Sequence, residues 1–251
     1  MNTHFLFHFV KYQLLLKYRY TWLGFFWNII EPALYLIVLS IVFSVVNKMI
    51  LEDYAVYLFA ALVAWRYFET AVMTIMESIV NGAWLSKRMH VSPYVYPISM
   101  WLIATVNFLF AFLAALVILL FIKDEWTIHL IVIPFSIILW ALFALGFGLI
   151  CAVLYTFFRD IKAVIQMGLL FTFFSSPILI KIELFREYSL QSQLLEYHPF
   201  SYFVFLFQKP FYYQKFPSTL DWSVTLIISV TTCLLGIWLV YANRKKFYFY
   251  L

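Results

Sequence analysis

Arg66, Glu69 and Glu77 lie inside one long apolar run, and ionised side chains in such a place are costly unless they are paired or solvated. Arg66 and Glu69 are i,i+3 neighbours and Glu69 and Glu77 are two helical turns apart, so on a helix all three project from about one face. Two chemistries fit: an internal ion pair that holds helices together, or a charged lining for a water-filled path. Other chemistry-bearing residues are sparser. His4 and His8 are one turn apart, as in a metal pair, but no third ligand stands near them. Asp124 and Glu125 adjoin Lys123, which suits a solvated turn better than an acid/base dyad. His90, His129 and His198 are scattered, and Cys151 and Cys233 sit in apolar runs where a free thiol behaves as a small hydrophobe. None of the six glycines is followed by lysine, so no G-x-x-x-x-G-K-[ST] phosphate cradle occurs. There is no H-E-x-x-H motif either. The chain is expected to bind no cofactor or metal itself, and to move something rather than transform it.

The elements that carry these residues must suit an unusual solvent. Of 251 residues, 65% are apolar, 22% aromatic and only 12% charged, with a mean hydropathy of +0.93. A soluble domain of this size carries roughly a quarter of its residues charged. The solvent is therefore largely lipid, where only helices and closed barrels satisfy their own backbone. Barrel strands alternate apolar and polar residues, whereas the run from Leu130 to Phe158 continues without a charge. The expected fold is an all-α integral membrane protein, read as one domain over residues 1–251.

A span needs about 20 apolar residues, and six segments qualify, near 29–48, 55–80, 97–122, 130–156, 163–181 and 221–242. Spans one to five fill 29–181, an outer loop covers 182–220, and a tail follows from 243 to 251. The loops on one side hold Lys11, Lys17, Arg19, Lys87, Arg88, Arg159, Lys162, Arg244, Lys245 and Lys246 against Asp160 alone. The opposite loops hold six basic and eight acidic residues. Basic loops stay inside, so both termini are expected in the cytoplasm, and the net charge of +5 reflects this sidedness without calling for a nucleic-acid partner. With the outer end near residue 55, Arg66 falls about 16 Å deep at 1.5 Å per residue.

Two further stretches are apolar without being long enough to cross. Residues 3–20 place His4, His8 and Lys11 on one face of an otherwise apolar helix, as in an interfacial helix on the inner leaflet within residues 1–28. Pro199 to Phe207, flanked by Pro210 and Pro217, suits a pair of short outer helices, re-entrant or interfacial. Pro177 should kink or end the fifth span.

The segment KYRYTWLGFFWNIIEP, Lys17 to Pro32, resembles the R-Y-x-x-x-x-L-G-x-x-W-x-x-x-x-P signature of the permease subunits of ABC exporters for polysaccharides: O-antigen (Wzm-like), capsule and teichoic acid, a branch of the type 2 ABC transporters. Arg19, Tyr20, Gly24, Trp27 and Pro32 carry it, with Leu23 one place early. NGAWLSKRMHVSPYVYP (81–97) is similar to the family's N-x-x-L-x-K segment, and LFALGFGLICAVLYTFFRDIKAV (142–164) to its G-x-G followed by F-R-D-I. The Ser-Ser-Pro at 175–177 matches a further block, and His198 stands before Pro199 where the family usually has Asn.

This resemblance implies a homodimer in the bacterial inner membrane, enclosing a channel for lipid-linked polysaccharide, O-antigen first among the candidates. Two copies of a separate ATPase subunit, which would bind the ATP and Mg, are implied beneath it. Residues 84–97, with Trp84, Lys87, Arg88, Pro93 and Tyr94, would form a coupling helix against the ATPase. The same charges alone would also read as a positive-inside anchor. Phe158, Arg159, Asp160 and Lys162 would make a second contact, and Arg19 with Trp27 would meet a lipid-linked head group, the guanidinium offering a phosphate fork. Sugars present apolar C–H faces to aromatic rings, so Tyr35, Trp65, Tyr67, Phe68 and Trp101 join Arg66 and Glu69 as channel candidates, against a background of aromatic residues that only pack. Two other functions share parts of this pattern: a type 2 permease for a small hydrophobic drug or lipid, and a membrane-embedded glycolipid transferase, which would need an acid/base or metal constellation.

Overall fold

The computed structural model describes residues 8–13, 15, 24–82, 94–122, 127–185, 193, 195–244 and 246–247. Among these it is helical and has no strand, as expected. The longer helices are α1 (Trp27–Val46), α2 (Leu51–Asn81), α3 (Val95–Ile122), α4 (Ile133–Phe157), α5 (Ile161–Ser175), α6 (Pro199–Phe211) and α7 (Thr219–Asn243). Short 3-10 turns at Gly24–Phe26, Ile128–Val132 and Ile182–Phe185 join them. Residues 8–13 are helical too, with Phe9 edge-on to Tyr96 at the start of α3.

Local sequence explains where several helices begin. Proline opens the first turn of α4 and of α6, where a missing N–H costs nothing. Ser218 caps α7 reciprocally: its hydroxyl accepts from Asp221 N at 3.2 Å, while Asp221 Oδ2 accepts from Ser218 N at 2.6 Å. The same carboxylate receives the Lys209 ammonium of α6, tying the two helices together.

α2 is the central helix. It is largely buried between Tyr54 and Ile79, as a helix surrounded by others must be, with Arg66, Glu69, Thr70 and Thr74 on its one open side. α4 packs most extensively against α7 and α2, and glycine allows it: a Cβ on Gly146 would fall 2.4 Å from the Cys233 backbone nitrogen, and one on Gly236 would fall 2.6 Å from the Gly146 carbonyl oxygen. Ser229 of α7 donates to the Leu139 carbonyl of α4 at 3.0 Å. In lipid, close backbone approach between small residues supplies the dispersion that a hydrophobic effect cannot. By contrast α1, α5 and parts of α3 and α7 show large apolar side chains outward, among them Val38, Ile41, Phe171 and Trp238.

Five helices among the described residues are long and apolar enough to cross a membrane, namely α1, α2, α3, α7 and α4 with the 3-10 turn before it. The fifth expected segment, 163–181, is instead a helix of 15 residues, about 22 Å at 1.5 Å per residue, that stops at Ser175 two residues before Pro177. Residues 176–179 continue as buried non-helical chain. Proline cannot continue the hydrogen-bond ladder and restricts the residue before it, so the helix ends just ahead of Pro177, where a kink or end was expected, and short of the segment's drawn limit at 181.

Irregular backbone at such a place needs partners, and side chains supply them. Tyr57 Oη donates to the Pro177 carbonyl at 2.7 Å, Gln208 Nε2 to the same oxygen at 2.8 Å, and Tyr54 Oη to the Leu179 carbonyl at 2.7 Å. Asn47, just after α1, donates to the Leu179 carbonyl at 3.0 Å and accepts from Lys181 N at 3.0 Å. This clamp fixes the C-terminal end of α5.

α6 is short, 13 residues, and lies within the bundle. It is sunk between α2 and α4: Phe203 stacks on Phe143 at 4.6 Å, and Phe200 meets Phe68 at 5.4 Å. Phe143 lies ten residues into α4, so the N-terminal end of α6 sits about 15 Å below the start of that helix.

Candidate functional site

Charge inside the bundle gathers around Arg66. On α2 its guanidinium Nη1 donates to Glu69 Oε2 at 2.8 Å, and Nη2 reaches across to Glu31 Oε1 on α1 at 3.0 Å. The Tyr35 ring, one turn along α1, lies 4.6 Å beneath the guanidinium carbon, a cation–π contact. The side chains remain open to the surroundings, 30% for Arg66 and 59% for Glu31. This matters because their neighbours on α1, Leu34, Ile37 and Val38, are exposed and apolar.

Two clefts flank Arg66. One, of about 130 Å³, opens between α1, α2 and α3 and is lined by Glu31, Arg66, Tyr67, Thr70 and Asn107 among others. The other, of about 190 Å³, opens between α1, α2 and α5 and includes Tyr35, Trp65, Arg66, Glu69, Leu170 and Phe173. Pockets for drug-sized ligands run to roughly 300–1,000 Å³. Neither cleft can enclose a cargo of that size within one copy of the chain.

The expected channel residues divide by environment. Tyr35, Arg66 and Glu69 face these clefts, and the largely buried Tyr67 and Trp65 form part of the wall of the first and the second. Trp65 is buried against Phe173 and Phe200, with ring centroids at 5.7 and 5.9 Å. Tyr67 is buried, stacked on Phe108 at 4.5 Å, with its hydroxyl 2.8 Å from Thr105 Oγ1. Phe68 is wholly enclosed, its ring parallel to Phe143 at 4.9 Å beside Trp140. Trp101 donates its indole N–H to the Ala141 carbonyl at 2.9 Å, joining α3 to α4. Trp140 does the same to the Ala64 carbonyl of α2 at 2.6 Å. These rings pack against one another between the helices of the chain.

At the end of the bundle where α4 turns into α5, Phe158, Arg159 and Asp160 are exposed, the Arg159 guanidinium 5.1 Å from the Tyr155 ring. Lys162 Nζ lies 2.6 Å from Glu77 Oε1 on α2. Glu77 therefore pairs with the α4–α5 turn and not with the Arg66 group, although the helix places it on a similar face. Tyr94, half-buried before α3, has no hydrogen-bond partner for its hydroxyl among the described residues. Trp27 opens α1 and is exposed. Arg19, Trp84, Lys87, Arg88 and Pro93 lie outside the described residues, as does His4 of the histidine pair. Among the described residues no group of three or more His, Cys, Asp or Glu could hold a metal ion.

Sequence reasoning missed Glu31, Asn47 and Gln208. Glu31 had a legible signal, a carboxylate just before Pro32 in an apolar span. Asn47 and Gln208 act on carbonyls more than 30 residues away or 132 positions distant, which no local spacing announces.

No family model matches the chain. Curated relatives do. The chain is 24% identical over 239 residues to the "O-antigen export system permease protein RfbA" of Myxococcus xanthus, covering 95% of this chain and 92% of that protein. It is 25% identical over 194 residues to a protein of the same name from Klebsiella pneumoniae, covering 74% and 72%. A second such protein from Klebsiella pneumoniae is 23% identical over 243 residues, covering 94% and 90%. The likeness to polysaccharide-export permeases read from the sequence blocks is borne out at nearly full length, and the apolar helices make the chain a multi-pass membrane protein.

Proposed function

We propose that this chain is the membrane-spanning permease subunit of an ATP-driven exporter that carries lipid-linked polysaccharide, O-antigen first among the candidates, across the bacterial inner membrane. The observation that carries the reading is the Arg66–Glu31–Glu69 group, half-exposed on an apolar face that also bears Tyr35. Ionised groups cannot face hydrocarbon at such a position, and each cleft beside them is too small for cargo. A second copy of the chain, set against α1 and α5, would enclose these faces and create a water-filled path lined by charge and by rings that grip sugar faces weakly.

The relatives, named as O-antigen export permeases and aligned at nearly full length, support the cargo class. In this reading both termini are cytoplasmic, and α5 with the clamped stretch after it makes the remaining crossing, so that six crossings result. The chain performs no chemistry itself. Two copies of a separate ATPase would bind ATP and Mg and press on the coupling residues Trp84, Lys87, Arg88, Pro93 and Tyr94 and on the Arg159–Asp160 turn, while Arg19 and Trp27 receive the lipid-linked head group.

Deleting the chain in its host and restoring it tests this. The reading expects undecorated outer surface with polymer retained inside, reversed by the wild-type chain. Normal surface polymer on deletion, together with lost export of a small hydrophobic compound, would favour a drug or lipid permease instead. Sugar transfer by the purified chain alone would make it a transferase.

A further inference from the structure

α5 is held unevenly. Leu169 is its one buried side chain among the described residues, and Val164, Met167, Leu170, Phe171 and Phe174 point outward. Its C-terminal end continues into the backbone clamped by Asn47, Tyr54, Tyr57 and Gln208. Its other end carries the Lys162–Glu77 ion pair, 2.6 Å, to the last turns of α2. Two to four residues before Lys162 stands the exposed turn of Phe158, Arg159 and Asp160.

A partly exposed ion pair, with side chains 43% and 29% accessible, adds little to stability, yet it fixes the distance and direction between two helices. Glu77 is on the same helix as Arg66 and Glu69, and Leu170 and Phe173 of α5 wall the cleft that contains them. The α4–α5 turn is thus joined to both sides of that cleft through one contact. We infer that Lys162 and Glu77 form a releasable strut that positions α5 against α2, so that a load on the 158–160 turn is passed to the Arg66 cleft. The inference rests on the function proposed above, in which that turn touches the ATPase.

The test compares Lys162→Glu, Glu77→Lys and the double exchange in the full complex, reading polymer exported per ATP hydrolysed alongside subunit abundance and co-purification with the ATPase. Each single change should lower the ratio about fivefold, within the range by which coupling residues act, with assembly unchanged. The double exchange should return it to within about twofold of wild type, as paired charges do in a mutant cycle. Single changes that leave the ratio intact, or an exchange as poor as either single, overturn the inference. Where a single change lowers abundance, the neutral pair Lys162→Gln with Glu77→Gln replaces it: normal abundance with a low ratio supports the strut, and a wild-type ratio overturns it. Failure of the wild-type chain to restore export would instead count against the proposed function. The strut is then read from Lys162→Cys with Glu77→Cys, whose cross-linking should change when the complex is trapped with a non-hydrolysable nucleotide and overturns the inference if it does not.

Discussion

Arg66 Nη2 lies 3.0 Å from Glu31 Oε1, so that one guanidinium joins α1 to α2 while also holding Glu69 on its own helix. Two carboxylates share one cation, and removing the cation leaves two like charges without a counter-ion on an otherwise apolar face.

Arg66→Ala should therefore reduce polymer export by at least about tenfold, the scale of a lost charge-assisted hydrogen bond. The triple change Arg66→Gln, Glu31→Gln, Glu69→Gln removes the uncompensated charge. It should recover assembly, seen as wild-type abundance and oligomer size in detergent, without recovering export. Recovery of both would make the group a structural tie only.

Gly146→Ala and Gly236→Ala should each destabilise the chain by about 1–3 kcal/mol, the usual cost of overpacking. In both cases the new methyl meets backbone within 2.6 Å, which no rotamer change relieves. Gly168→Ala is the control, because nothing lies within 4 Å of its Cβ position. Thermal unfolding in detergent should show lower midpoints for the first two and an unchanged or higher one for the third.

The clamp on the chain after α5 should be graded. Tyr54→Phe leaves the Leu179 carbonyl to Asn47 and should cost about 1 kcal/mol, a typical net hydrogen bond. Tyr57→Phe should cost about the same, since Gln208 still holds the Pro177 carbonyl. Asn47→Ala removes bonds to Phe43, Leu179 and Lys181 together and should cost about 2–3 kcal/mol. Equal midpoints for all three would contradict the clamp.

His198 caps α6, its Nδ1 accepting from Phe200 N at 3.3 Å. His198→Ala should therefore cost about 1 kcal/mol, the usual worth of such a cap, whereas His198→Asn, whose side chain caps in the same way, should match wild type. Equal melting midpoints for all three chains would remove the cap as a contributor.

Helical membrane character was legible because apolar runs of span length follow from the thickness of the bilayer, and α2, α3, α4 and α7 begin and end close to the expected residues. The break after Ser175 was legible only as a proline. Whether a helix resumes beyond Pro177 depends on Tyr54, Tyr57, Asn47 and Gln208, which come from three other parts of the chain. The Arg66–Glu69 pair followed from i,i+3 spacing. Glu77 went elsewhere because Lys162 approaches it across helices, and Phe68 lies among neighbouring rings while Trp65 and Tyr67 also wall the clefts, a division the sequence could not give because an aromatic face looks the same whether a neighbouring ring or open space lies beside it. Glycine at 146 and 236 acquires meaning only once the two helices are seen in contact.

The central claim is that this chain lends a path to cargo while a separate protein supplies the energy. The direct measurement places the purified chain, with and without its ATPase, in vesicles loaded with lipid-linked polymer and follows polymer reaching the opposite face as ATP is added. The account predicts ATP-dependent transfer by the complex, and neither transfer nor nucleotide hydrolysis by the chain alone. Hydrolysis by the chain alone, or transfer indifferent to ATP and the ATPase, would contradict it.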